Sequence, residues 1–446
     1  MKEQILSIIN AGPIDMTNLK TLFSQINTVD IAELFENLSK EKIIQLFRIL
    51  PKTIAADVFA YMDADEQQII IEALTDVEVS EIMNNLFVDD AVDFIEELPA
   101  NVVKRVLQNV LPEKRKLINQ ILQYPDDSAG SIMTTEYVDL REDASVREAF
   151  DNIRATGLNK ETIYTCYVIR RDRLLVGAVS VKTLLLASLQ DRIGDIMDTN
   201  LVFASTADDR EAIAALFKKY GLLAMPVVDK EKQLVGIITV DDIVQVIEEE
   251  NTEDFEKMNA LSPSDEPYLK TSIMKLAKNR ILWLLVLMLS ATITGGIISS
   301  FENALAVLPI LVAFIPMLMD TGGNAGAQSS TLIIRGMALG EISLKDIIRV
   351  LWREMRIGIL CGIGLGLVNF IRVYLMNGRN FLLSFTVTIS LFLTILMAKS
   401  VGCILPMFAK RLKIDPAIMA APLITTIVDG ASLVIYFSIA KTIFKI

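Results

Sequence analysis

Apolar stretches at about 279 to 301, 304 to 333, 355 to 376, 381 to 409 and 416 to 440 constrain this chain more than any other feature, because each is long enough to cross a membrane. A helix rises ~1.5 Å per residue and the hydrocarbon layer is ~30 Å thick, so about 20 apolar residues suffice. Five spans are expected. The rest of the chain has a different solvent: residues 1 to 270 carry 27 Lys and Arg against 48 Asp and Glu, whereas residues 271 to 446 carry 16 against 7. The 52% hydrophobic content therefore averages a soluble acidic part and an embedded one.

Orientation follows from the basic residues, which stay preferentially on the cytoplasmic side. Lys270, Lys275, Lys278 and Arg280 precede the first span, Arg335, Lys345, Arg349, Arg353 and Arg356 separate the second from the third, and Lys410, Arg411 and Lys413 separate the fourth from the fifth. The opposite loops hold Arg372 and Arg379, with Lys441 and Lys445 at the tail. A cytoplasmic N-terminal part and an external C-terminus are expected. The first residues lack a long apolar core with a basic flank, so no cleaved signal is expected.

There is no histidine, and Cys166, Cys361 and Cys403 show no CxxC spacing. Metal sites must then be built from oxygen ligands, which suit Mg²⁺, Ca²⁺ or Mn²⁺. With no GxxxxGK[ST] and no HExxH either, the chain is not expected to be an enzyme.

Segments 34 to 51, 58 to 75, 82 to 99 and 106 to 123 align without gaps at a 24-residue offset, with apolar residues recurring at Leu34/Val58/Ile82/Val106 and Leu46/Ile70/Phe94/Ile118. Such a period implies paired short helices stacked into a superhelix, each covering its neighbour's apolar face. This all-α repeat domain is placed at residues 1–130. From 131 to 248 the pattern becomes strand, charged turn, strand, helix, in two copies about 60 residues apart: "YTCYVIRRDRLLVGAVSV" and "LAMPVVDKEKQLVGIITV". These predict an α/β module with internal pseudo-symmetry.

An acidic connecting segment (249–275) leads to the membrane domain (276–446). In it Glu249 and Glu253, like Glu250 and Asp254, are like-charge neighbours at i, i+4 on a helix, a mildly destabilising arrangement. Asp89, Asp90, Asp93 and Glu96 form a second acidic set in the third repeat, and Asp241 joins the candidates at the start of the last helix of the α/β module. Either these are solvated faces or they are divalent-cation ligands shared between domains.

The second span contains "PMLMDTGGNAGAQSS" at 316 to 330, with prolines, glycines and polar groups where apolar residues should be. Asn324 and Gln328 are one turn apart, so a helical or broken-helical segment aims both amides the same way. Gly323 and Gly326 permit close approach of helices. In the fifth span Asp429 lies deep in an apolar segment, one turn after Thr425. A carboxylate there costs at least ~2.5 kcal/mol; it needs a cation or water, or else pairs with Lys399 of the fourth span. Asp320 has the alternative of sitting at the cytoplasmic margin, near the next basic loop.

The paired strand-turn-strand copies resemble tandem CBS domains, which implies adenine-nucleotide binding, ATP among the candidates. Gly236, Thr239 and Asp242 match G-x-x-T-x-x-D, whereas the first copy has Thr183 in place of the acid. The bland alternative is a helix cap. The whole order, from 24-residue repeats through the CBS pair and an acidic helix to GNAGAQ and TTIVDG, resembles the MgtE family of magnesium channels and transporters. The resemblance implies a homodimer in the lipid of the cell membrane, a pore on its two-fold axis between the second and fifth spans, and Asp429 as the selectivity carboxylate. It departs from the family at Ala327, where an Asn is common. Mg²⁺ uptake gated by cytosolic Mg²⁺ is the expected function, with no nucleic-acid partner; the rivals are a transporter for Mn²⁺ or Co²⁺ and a membrane-tethered nucleotide sensor.

Overall fold

The computed structural model describes residues 5, 16–36, 38–264, 268–269, 271–419 and 421–445. Most of the N-terminal stretch weighed for a signal, part of the linker and Lys270 lie outside them. The chain divides into two compact units, Met1–Ile247 and Glu248–Ile446.

In the first unit the repeat sets the helices directly. One series begins at Thr28, Lys52, Asp76 and Ala100, and the interleaved series at Lys40, Ala64, Val88 and Pro112, so each 24-residue period is one helix pair. The aligned apolar positions Leu34, Val58, Ile82 and Val106, and Leu46, Ile70, Phe94 and Ile118, are all buried. Helix ends leave carbonyls without intrahelical donors, and basic side chains of other repeats supply them. Arg105 donates to the carbonyls of Ile71 (3.0 Å) and Leu74 (2.6 Å), Arg48 to that of Ala73 (3.1 Å), and Lys114 to that of Leu86. Thr75 and Glu78 close a capping box at the start of the third pair.

The α/β module is a duplicated three-stranded sheet. β1 (Asp139–Arg141) runs parallel to β2 (Thr165–Ile169), which pairs antiparallel with β3 (Leu175–Ser180). β4 (Ala204–Ser205), β5 (Ala224–Val228) and β6 (Leu234–Thr239) repeat that order and those senses. The correspondence reaches the hairpin turns, where Arg173 and Lys232 both take left-handed φ, 64° and 62°. Tyr137, Tyr167, Ile169, Leu234 and Ile237 form a core joining the two sheets, and the Tyr137 hydroxyl donates to the Leu234 carbonyl at 3.2 Å.

The last helix of the module runs from Val240 to Met258, so the acidic segment beyond residue 248 continues a helix begun in the second copy of the α/β module.

The second unit contains the five expected spans: Ile273–Ser300, Pro309–Ala338, Leu344–Met376, Phe381–Arg411 and Pro416–Phe444. The second starts five residues later than its apolar run suggests, because a short helix, Glu302–Val307, precedes it and Pro309 opens a 3₁₀ turn. From Ile315 to Ala338 it is continuous α-helix. The glycines do not break it; they are where neighbouring helices touch it.

Candidate functional site: a polar membrane face and an acidic cytosolic cavity

In the second span Asp320, Asn324, Gln328, Thr331 and Arg335 are exposed, a stripe at helical spacing. The opposite face is buried through Gly322, Gly326, Ser329, Ser330 and Ile333. Asn324 Nδ2 donates to Asp320 Oδ1 at 3.2 Å. Such a polar stripe is not stable against lipid, so it faces protein or water. The marginal placement of Asp320 fails: fifteen helical residues separate it from Arg335, about 22 Å at ~1.5 Å per residue.

The fifth span packs directly against that helix. A Cβ on Gly323 would stand 3.0 Å from Thr425 Cγ2 and 3.7 Å from Asp429 Oδ1, and one on Gly326 would stand 2.8 Å from Ile424 Cγ2. The two glycines thus let the helix that carries Asn324 and Gln328 lie close enough to share a face with Thr425 and Asp429. Thr425 Oγ1 is spent on the Pro422 carbonyl at 2.9 Å.

Lys399 does not pair with Asp429. It is buried beside Glu354 of the third span, Nζ to Oε2 3.7 Å. Among the described residues the half-buried Asp429 carboxylate has neither a cationic partner nor a hydrogen-bond donor. An oxygen ligand so placed, with amides alongside, suits a hydrated cation.

In the first unit a cavity of about 670 Å³ gathers the carboxylates of Asp89, Asp90 and Asp93 from the third repeat with Asp241 from the α/β module. Asp57, Asp63, Glu97, Glu161 and Asp242 line it as well. Of these nine acids, Asp89, Asp90, Asp93 and Asp241 were legible as metal candidates and Asp242 as a nucleotide candidate. Glu96, expected on the same face, is exposed outside the lining, and Glu97 takes its place. Asp57 belongs to an earlier repeat and Glu161 to an aperiodic loop, so no local pattern marks either.

Burial, then the neighbouring charges Asp90 and Asp242, raises the Asp89 carboxyl well above its usual range. Burial and Asp242 take Asp90 to about 6, and burial with Asp90 and Asp242 takes Glu161 to about 8. Asp89 Oδ1 is sealed from solvent without a hydrogen-bond partner. These carboxylates crowd one another, which is the condition a cation relieves. Among the described residues no three of them stand close enough to chelate a bare metal ion, so the fit is to a hydrated one.

Glu249, Glu250, Glu253 and Asp254 lie farther along the helix, in the second unit. Glu253 pairs with Lys257 at 2.5 Å, and Lys257 reaches Asp415, just before the fifth span, at 2.7 Å. Of the nucleotide candidates, Thr239 and Asp242 meet: the Thr239 hydroxyl donates to Asp242 Oδ2 at 2.6 Å and its N–H at 3.3 Å. This is half of a helix cap, made by Asp242 rather than Asp241. Gly236 permits a close chain crossing, since a Cβ there would stand 2.8 Å from the Thr134 carbonyl.

Comparison with known proteins covers nearly the whole chain. Residues 315–439 match the MgtE divalent cation transporter family, residues 26–127 the MgtE intracellular N domain, and residues 129–190 and 193–249 the CBS domain. The magnesium transporter MgtE of Thermus thermophilus is 35% identical over 97% of this chain and 96% of its own length. That of Bacillus subtilis is 33% identical over 98% and 96%. Among solved structures, the cytosolic domain of the Mg²⁺ channel MgtE in complex with ATP aligns with TM-score 0.52 at 31% identity, covering 55% of this chain and all of that one.

Proposed function

The chain belongs to the MgtE family of magnesium transporters, and from that premise we propose how this membrane protein moves Mg²⁺ and how the ion regulates its own passage. Mg²⁺ crosses along the face formed by Asp320, Asn324, Gln328, Thr425 and Asp429, with Asp429 as the selectivity carboxylate. The observation that carries this reading is the environment of Asp429: it lies against Gly323 with no cationic partner among the described residues, while Lys399 is taken by Glu354. Mg²⁺ gives up its water reluctantly and is held through one or two carboxylates, so a carboxylate flanked by amides binds the hydrate without stripping it.

The polar stripe requires a partner surface, and a second copy across a two-fold axis supplies it and doubles the carboxylate. The protein is therefore a homodimer in the cell membrane, its cytosolic part inside and its C-terminus outside, acting without enzymatic turnover. A negative interior contributes ~2.3 kcal/mol per charge per 100 mV to inward movement.

Cytosolic Mg²⁺ enters the acidic cavity and draws Asp89, Asp90 and Asp93 toward Asp241. The helix bearing Asp241 ends at the contact between Lys257 and Asp415, next to the fifth span. Loss of the ion leaves the carboxylates repelling one another and releases that contact. Glu249, Glu250, Glu253 and Asp254 extend the acidic surface along the same helix. For a nucleotide, the support is the CBS pair together with the ATP complex of a similar cytosolic domain. On this chain Asp242 faces other acids, so a polyphosphate there needs a divalent counter-ion.

The test is Mg²⁺ uptake into proteoliposomes by the wild type, by Asp429→Ala and by a form lacking residues 1–247. Uptake is expected to vanish in the first variant and to lose its dependence on internal Mg²⁺ in the second. Wild-type uptake by Asp429→Ala would remove the pore assignment. Competition by Mn²⁺ and Co²⁺ in the same assay distinguishes the transported ion.

A further inference from the structure

Behind the polar face of the second span lies a charged pair that transport as described does not use. Lys399 of the fourth span and Glu354 of the third are 5% and 7% exposed. Ionisable groups at membrane depth are costly, and apolar side chains of equal volume commonly stabilise a fold as well or better. Their presence calls for a role other than stability.

The contacts point to that role. Lys399 Nζ donates to Ser329 Oγ at 3.2 Å, and Ser329 Oγ lies 2.6 Å from Glu354 Oε2. The serine hydroxyl has a second acceptor within reach, the Ala325 carbonyl at 3.3 Å. The shorter, charge-assisted bond takes its proton. One hydroxyl on the second span is therefore held between a cation on the fourth and an anion on the third.

The surroundings are cut to fit this arrangement. A Cβ on Gly358, one turn beyond Glu354, would stand 3.4 Å from Lys399 Cδ and 3.0 Å from Leu396 Cδ2, so the glycine leaves room for the lysine stem. Gly402 lies against the Gly326 carbonyl, bringing the fourth span onto the second at backbone distance. The next hydroxyl, Ser330 Oγ, donates to the Met419 carbonyl at 3.0 Å.

We propose that Lys399 and Glu354 are positioning residues for permeation: through Ser329 they fix the rotation of the second span, so that Asn324 and Gln328 stay on the face shared with Asp429. Ser329 directly follows Gln328 and sits about 100° around the helix from it. A rotation that frees the serine swings the amide off its face. This inference rests on reading that face as the ion path.

The experiment measures Mg²⁺ uptake into proteoliposomes, with Ca²⁺ as competitor, for Ser329→Ala, the neutral double variant Glu354→Gln/Lys399→Met, and Asp429→Ala. Monodispersity of the purified full-length protein is checked in each case. Ser329→Ala keeps both charges and removes only the bridge, so it is expected to stay monodisperse, lose uptake by at least about tenfold and discriminate less well against Ca²⁺. The double variant is expected to do the same, and it decides the matter should Ser329→Ala not fold. Wild-type uptake and selectivity in either folded variant, beside a silent Asp429→Ala, overturn the positioning role alone. Wild-type uptake by Asp429→Ala overturns the ion path and this inference with it.

Discussion

Gly323 and Asp429 are near neighbours across the contact between the second and fifth spans: a Cβ added to the glycine would stand 3.7 Å from the carboxylate oxygen and 3.0 Å from Thr425 Cγ2. The absence of a side chain is thus what gives the carboxylate its place. Gly323→Ala forces Thr425 to yield by a few tenths of an ångström. An overpacking cost of ~1–3 kcal/mol is expected, with a loss of Mg²⁺ uptake larger than the loss of stability would account for. Thermal unfolding in detergent and flux in liposomes, measured on the same preparation, separate the two.

Asp90 and Glu161 set a pH dependence. Their carboxyls rise in the fold from 3.8 to about 6 and from 4.5 to about 8, chiefly through burial. A group raised in this way contributes stability that is fully present below its unfolded value and is lost as pH climbs through its folded one. Without divalent ions, the thermal midpoint of the cytosolic part is expected to fall between about pH 4 and pH 8. Added Mg²⁺ is expected to restore it most at the upper end, where the ligands are deprotonated. A midpoint that rises across this window, or an equal effect of Mg²⁺ at both ends, removes the cavity as a cation site.

Asp90→Asn relieves the same crowding without an ion. The variant is expected to raise the metal-free midpoint and to flatten its response to Mg²⁺. The internal Mg²⁺ needed to slow transport should rise by roughly tenfold, a coupling within the usual range. Titrating uptake against internal Mg²⁺ reads that shift.

Lys257 joins the end of the connecting helix to Asp415 at 2.7 Å. Both side chains keep partial contact with water, 22% and 32% exposed, so the pair is worth ~1 kcal/mol or less in stability. Lys257→Met is accordingly expected to leave the unfolding temperature almost unchanged while moving the half-blocking Mg²⁺ concentration up to about fivefold. An unaltered block would detach this contact from regulation.

The features readable in advance were those with a period or a cost. The 24-residue offset gave the helix pairs because every period must bury the same face, and the strand-turn-strand copies gave the two sheets through their alternation. Asp429, Asn324 and Gln328 stood out because polar groups are expensive in hydrocarbon. What escaped was set by tertiary contact. Glu161 joins the acidic cavity from a loop without periodicity, and Asp57 and Asp63 from an earlier repeat. Lys399 was set in sequence only against Asp429, and it is the packing of the third span on the fourth that gives it Glu354 instead. The glycines of the second span allowed both a broken helix and a close helix contact in sequence, and only their neighbours, absent from a one-dimensional reading, select the second.

The helix pairs of the array bind chiefly their near neighbours, and basic residues such as Lys114 cap a carbonyl of the pair before. Arrays of this kind fray from their ends inward. Asp89 and Asp90 are carried by the third pair, with a further pair on either side. The outermost turns can therefore open and reclose on their own timescale while the ion-sensing acids keep their spacing, so the signal is insulated from the thermal noise of the terminus.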